Sequence, residues 1–361
     1  MTEAPYLAIS PAINPVVQKR VEHPGWTEIH VTIPSPVEAN RLRGALACLP
    51  DDAQVIVADL FGTAGEVNRT REALRKAGVM TPTTSVLSSA PGMGGLQLVA
   101  ACGGTITPIA PDGEPVGFIV EGEAARHVYL GGLTPPDASS TRAAQTRAVF
   151  ALAERALSSV GMTFTNVART WFYNDNILDW YPSFNAVRTE FFQRHGILRM
   201  PASTGIGAPN PAETALASKL IALQERRAGS ISVETVPSPL QCDAFSYGSA
   251  FSRAVAVRDS LSQTLHISGT ASIAPGGQTA HEGDPAAQIE LTMRVVGAIL
   301  DEAGLDLGGT TRAIVYFRNP ADVDLWESYL VARGLGQLPF VTLGCHVCRD
   351  DLLFEIELEV A

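Results

Sequence analysis

Ala143 to Tyr173 reads AAQTRAVFALAERALSSVGMTFTNVARTWFY, and Ala286 to Tyr316 reads AAQIELTMRVVGAILDEAGLDLGGTTRAIVY. The two stretches superimpose without a gap: Gln145 falls on Gln288, Gly161 on Gly304, Arg169 on Arg312 and Tyr173 on Tyr316. Self-similarity at a fixed spacing marks a repeated structural unit. Apolar residues recur at helical intervals in each copy: Val149, Leu152, Ala153, Ala156 and Leu157 in one, Leu291, Val295, Ala298 and Ile299 in the other. Each copy therefore contains an amphipathic helix. The helix runs into a glycine, the residue that best tolerates a left-handed C-cap, and a β-rich run follows, VARTWFY or TRAIVYF.

Working outward, short strands precede the helices at His127 to Gly132 and Leu265 to Thr270. A second helix is predicted over Ile177 to His195 and Ala321 to Gly334, and a strand begins at Pro201 or Pro339. An alternating strand, SISVETV in the middle copy and LLFEIELEV in the last, is predicted to close each unit. The first ~115 residues repeat the order faintly, with WTEIHVTI, QVIVADLFG, PTTSV and LQLVAACGG as strands and PVEANRLRGALACL and GEVNRTREALRKAGV as helices. The expected fold class is α+β: three tandem units, 1–115, 116–238 and 239–361, with mixed sheets, helices packed on one face and a pseudo-trimer within one chain. Linkers are expected at 103–117 and around 237–241.

The composition fits this reading. The 361 residues are 46% apolar and 17% charged, and no uncharged apolar run reaches the ~18 residues of a bilayer span. Without a secretory or lipidation pattern, the expected location is the cytoplasm. Five cysteines, an odd number, read as reduced thiols. A net charge of −11 without a Lys/Arg cluster argues against nucleic acid, whose phosphates need neutralising. A small molecule is the expected partner, with self-association into a homo-oligomer left open.

The last strands carry the most chemistry. A hairpin turning at Asp350-Asp351 would set His346 opposite Glu355 and Cys348 opposite Leu353, placing His346, Cys348, Glu355 and Glu357 on one face. Glu355, Glu357 and Glu359 then read either as a solvated strand edge or as a source of acid. A carboxylate ligand needs fixed cations, and Arg169, Arg253 and Arg349 are candidates, each with the alternative of an ordinary ion pair. Trp171 and Tyr173 share the strand face of Arg169, as ligand contacts or as core. Thr204 and Gly205, in Ser-Thr-Gly-Ile-Gly, offer backbone N–H groups or simply a turn. Cys345 and Cys348 form a lone CxxC without a second ligand pair, which is a weak metal signal, so no metal is expected.

The order of elements, His266-Ile267-Ser268-Gly269 on the first strand, Asn185 in Phe184-Asn185-Ala186-Val187-Arg188, and the closing Phe354-Glu355-Ile356-Glu357 together resemble the Rid (YjgF/L-PSP-like) superfamily. That resemblance implies clefts between neighbouring units and enamine/imine deaminase chemistry as one possibility. A narrower similarity is to the chorismatases. It lies in Arg169-Thr170-Trp171 with Tyr173, in residues 201–208 (PASTGIGA), in Ile267 to Ala271, in His281 to Asp284 and in Cys348 to Glu357. Phe172 stands where that pattern has Asn.

The resemblance implies removal of pyruvate from chorismate, giving a hydroxybenzoate or a dihydroxycyclohexadiene acid, without a cofactor. It assigns Glu355 to proton handling. Cys348 and Gly269 match the type that forms 3-hydroxybenzoate. Arg169, Trp171, Tyr173, Asn185, Thr204, Gly205, Arg253, Ser268, Gly269, His346 and Arg349 are the candidate substrate-binding residues. The deaminase alternative lacks the Arg of Pro-Ala-Arg-Ser, since these places read Pro201-Ala202-Ser203-Thr204 and Pro339-Phe340-Val341-Thr342. A non-catalytic metabolite-binding homologue is the remaining alternative. The cleft between the middle and last copies is where the candidate residues converge.

Overall fold

A computed structural model describes residues 15–242 and 250–361. The first unit contains β1 (Val17–His23), β2 (Trp26–Pro34), α1 (Ala39–Ala47), β3 (Gln54–Gly62), α2 (Ala64–Lys76), β4 (Thr83–Leu87) and β5 (Gly95–Gly103). The second contains β6 (Thr105–Ile109), β7 (Gly117–Glu121), β8 (Ala125–Leu133), α3 (Arg142–Ser159), β9 (Val167–Asn174), α4 (Tyr181–Arg194), β10 (Ala202–Ile206) and β11 (Leu216–Glu225). The third contains β12 (Ser232–Val236), β13 (Ala254–Arg258), β14 (Gln263–Ala271), α5 (Pro285–Ala303), β15 (Thr310–Phe317), α6 (Val323–Arg333), β16 (Phe340–Gly344) and β17 (Phe354–Val360).

Each unit builds one mixed sheet with a common four-strand order: β2-β5-β3-β4, β8-β11-β9-β10 and β14-β17-β15-β16. The helices cover one face of each sheet over separate apolar clusters. The opposite faces of all three sheets meet in a shared core that includes Trp26, Phe61, Tyr129, Trp171, Tyr173 and Tyr316. The chain is thus an α+β pseudo-trimer. Among the described residues no helix is long and apolar enough to cross a membrane.

The repeated glutamine has a structural reason. Gln145 accepts from the Ala215 N–H (2.7 Å) and donates to the Ala138 and Ser140 carbonyls, while Gln288 accepts from the Leu353 N–H (2.8 Å) and donates to the Asp351 and His281 carbonyls. In both copies a helix side chain therefore ties down the backbone just before the closing strand, satisfying buried polar groups that the sheet leaves open.

Four expectations are corrected. The breaks at 115/116 and 238/239 fall within the neighbouring units, because β6 pairs with β7 in the second sheet and β12 with β13 in the third. SISVETV therefore opens the third sheet, and the middle unit is closed by β11, whose nearly continuous burial leaves no alternation to read. No hairpin joins the last two strands: β16 runs parallel to β15 at the sheet edge, and β17 lies between β14 and β15. The linker expected at 103–117 contains β6.

Candidate active site

Glu355, Glu357 and Glu359 occupy alternate positions on β17 and point into the shared interior, not into solvent. They are 4%, 1% and 4% exposed, which overturns the solvated-edge reading. Glu357 is bound by cations and donors on neighbouring strands. Arg169 Nη2 lies 2.5 Å away, Trp171 Nε1 donates at 2.7 Å, the Thr204 hydroxyl donates as well, and Arg312 Nη2 stands at 3.5 Å. Glu359 pairs with Arg312 (3.2 Å) and His266 (3.4 Å), and that arginine holds its carboxyl well below the usual range even against the cost of burial.

Glu355 faces a cleft of about 630 Å³ between the middle and last units. Burial, and secondly the charge of Glu357, push its carboxyl up to about 8 against the opposing pull of Arg169 and Arg253. It is a neutral acid at pH 7. Opposite stand Asn185 and Arg188 of α4, one turn apart, with Arg188 Nη2 donating to Asn185 Oδ1 at 2.7 Å. Arg253, Arg349 and the Phe251 ring complete a cationic and aromatic wall. Arg253 donates twice to the Cys242 carbonyl (2.8 and 3.1 Å) and Arg349 to the Gly277 carbonyl (2.7 Å), so both guanidinium groups are fixed by backbone.

The backbone beneath Glu355 is a β-bulge. Ile267 pairs with Leu358 and Thr270 with Ile356, so Ser268 and Gly269 together oppose Glu357. The Gly269 N–H, released from the ladder, donates to Thr204 Oγ1 of the neighbouring unit at 3.1 Å. A Cβ on Gly269 would overlap Glu355 Oε1 and lie 3.0 Å from its carboxyl carbon. Glycine is required here for space, since Gly269 is not among the residues with positive φ.

The repeat provides two comparison clefts. By strand register, Glu355 opposite Tyr316 corresponds to Ala217 opposite Tyr173 and to Gly95 opposite Phe61. At the first junction Thr84 receives the Gly132 N–H just as Thr204 receives that of Gly269, but the closing strand offers only the Ala217 methyl. At the junction of the third and first units Val341 fills the space beside Gly95. Of the three pseudo-equivalent places, only the one between the middle and last units holds a carboxyl group.

Of the residues singled out from sequence, Glu355, Cys348, Asn185, Gly205, Arg253, Gly269 and Arg349 line this cleft. Arg169, Trp171 and Tyr173 do not: they lie in the shared core, where Arg169 pairs with Glu357 and Tyr173 packs edge-on against Phe61. Thr204 and Ser268 stand behind the wall. Ser268 Oγ accepts from the Ser203 N–H (2.8 Å), donates to the Ser252 carbonyl (2.5 Å) and so joins the two units. His346 is exposed and is joined to the middle unit by backbone hydrogen bonds with Gly207. Arg188, Tyr181, Ser203 and Phe251 also line the cleft without having been singled out. Arg188 was legible as the residue one helical turn beyond Asn185.

Comparison with known proteins identifies a family. No family model matches the chain. A chorismatase of Streptomyces hygroscopicus is 30% identical over 261 residues, covering 66% of this chain and 73% of that protein. The chain belongs to the chorismatase family. A 3-hydroxybenzoate synthase of the same organism is 29% identical over 260 residues, covering 64% of this chain and 73% of its own length. A chorismatase crystal structure superimposes with a TM-score of 0.65 at 21% identity, covering 94% of this chorismatase-family chain and 100% of that one, which establishes the shared fold.

Proposed function

We propose that this chorismatase homologue cleaves the enolpyruvyl ether of chorismate in the cleft at Glu355, releasing pyruvate and yielding 3-hydroxybenzoate. The observation that carries the reading is a buried carboxyl group, neutral at pH 7, in a cleft that also presents fixed guanidinium groups. Protonating the methylene carbon of the enol ether makes its ether carbon cationic. Water adding there gives a hemiketal, whose collapse breaks the bond to the ring oxygen, frees pyruvate and leaves the ring as the dihydroxycyclohexadiene acid. The neighbouring ring hydroxyl adding there gives a cyclic ketal instead. Breaking that hydroxyl's own C–O bond to the ring, with loss of the proton from the ring carbon that bears the ether, aromatises the ring, and the hemiketal left behind collapses to pyruvate and 3-hydroxybenzoate. An acid with a pKa near the working pH suits the first step. The arginines supply charge-assisted hydrogen bonds to the substrate carboxylates.

Cys348 lines the same cleft. Burial, and then the Glu355 carboxylate, push its thiol up to about 12, so it serves as a neutral, compact wall and weak donor and not as a thiolate nucleophile. Together with Gly269 it supports the hydroxybenzoate-forming assignment. Incubation with chorismate, with pyruvate followed by a coupled dehydrogenase and the aromatic acid by chromatography, tests the reading. Equal amounts of pyruvate and 3-hydroxybenzoate are expected, whereas a dihydroxy acid as product or untouched chorismate counts against it.

Two side-chain changes follow from the geometry. Gly269→Ala should fold but swing the Glu355 carboxyl aside, lowering kcat/KM about tenfold or more and altering the product ratio; unchanged kinetics would show that the carboxyl is not confined there. Arg253→Ala should remove a charge-assisted contact worth about 1.5–3 kcal/mol. That corresponds to a loss of roughly 10–100-fold in kcat/KM for chorismate.

A further inference from the structure

We infer that Glu357 is a positioning residue for the acid: a fixed buried carboxylate, anchored mainly by the middle unit, that keeps Glu355 protonated and braces the backbone on which Glu355 rests. The inference rests on the reading of Glu355 as proton donor, yet the coupling of the two carboxyl groups is measurable without turnover. Side chains two apart on one strand share a face at about 7 Å, a separation at which a like charge in a dry interior disfavours a second anion.

Four neighbours fix the Glu357 carboxylate: Arg169, Trp171, Thr204 and Arg312. Three of these belong to the middle unit, so the third unit's acid is adjusted by its neighbour. Thr204 has a second duty. The hydroxyl that donates to Glu357 accepts from the Gly269 N–H, and its methyl carbon would lie 3.3 Å from a Cβ on Gly269. One side chain therefore links the anchored carboxylate to the bulge that makes room for Glu355.

The groups that set the titration come from several elements. Glu357 on β17, Arg169 on β9 and Arg253 just before β13 act on Glu355, which in turn acts on Tyr316 of β15 and on the thiols of Cys345 and Cys348. Glu357 also acts on Arg312 of β15, Lys219 of β11, Tyr173 of β9 and Tyr316. Arg169 opposes the effect on Glu355, but its guanidinium is turned to Glu357, Thr204 and the Thr170 carbonyl.

The test is a pH titration of the full chain by infrared difference spectroscopy of the carboxyl C=O stretch, with the Glu355 band assigned by its loss in Glu355→Gln. Glu357→Gln alone leaves Arg169 without its carboxylate partner and adds a net positive charge to the interior, so the double variant Glu357→Gln/Arg312→Gln, which removes one charge of each sign, is measured beside it. In either folded variant the Glu355 midpoint is expected to fall by about one pH unit or more. The alkaline limb of pyruvate release should move with it, an approximately fivefold loss at pH 8 that approaches about tenfold above pH 9. Glu357→Asp should restore most of the midpoint. A folded double variant with an unchanged midpoint overturns the inference, because a purely structural Glu357 would alter stability without moving the titration. A shifted midpoint in a protein whose wild type leaves chorismate intact upholds the coupling and overturns the proposed reaction instead.

Discussion

Glu355→Gln is expected to lower pyruvate release from chorismate about 10²–10⁴-fold while making the protein more stable at neutral and alkaline pH. Both effects have one cause. The folded chain holds the Glu355 proton up to about pH 8, whereas the unfolded chain gives it up near the ordinary value of 4.5. Between these values the folded state binds more protons, so wild-type stability from this group is fully present below 4.5 and is lost as pH rises toward 8. Glutamine has no such slope. The variant's advantage should grow across this window and level off above it at about 5 kcal/mol, read from urea midpoints at pH 5, 7 and 9. A variant as active as the wild type, or one without a pH-dependent gain in stability, would remove Glu355 from the chemistry.

Arg312→Met is expected to be the most destabilising single change, at about 3–5 kcal/mol, because it strands buried carboxylates. This guanidinium donates to Gln97 Oε1 (2.8 and 3.1 Å) and Glu359 (3.2 Å), and it stands 3.5 Å from Glu357 and 3.8 Å from Asp59. Those partners come from the first and third units, and Lys219 of the middle unit pairs with Asp59 in the same interior. The urea midpoint reports the loss. Adding Glu359→Gln should recover part of it, since one unpaired charge is removed; no recovery would mean that Arg312 acts by packing alone.

The helices and flanking strands of the two similar copies were legible because periodicity reports directly which face is buried. The closing strand of the middle unit was not, because Leu216 to Leu223 are buried on both faces and show no period. The hairpin expectation failed for a topological reason: two β-rich runs joined by a short acidic turn look adjacent, yet β15 separates them in the sheet. Charge was misjudged in the same way. Arg169, Glu357 and Arg312 resemble ordinary solvated strand residues until three sheets close on one another, and their burial is a property of the assembly of units. Glu355 and Cys348 were legible through family resemblance and not through spacing, as was Gly269, whose need for space is visible only beside the Glu355 carboxyl.

In the proposed reaction Glu355 delivers a proton to the enolpyruvyl methylene carbon in the cleft between the middle and last units. Running the reaction on chorismate in D₂O and recording the early NMR spectrum of the released pyruvate tests that step. The wild type should give pyruvate whose methyl group carries one solvent deuterium, at a rate that Glu355→Gln abolishes. Pyruvate formed without deuterium in the methyl group, or formed equally well by Glu355→Gln, would contradict the account.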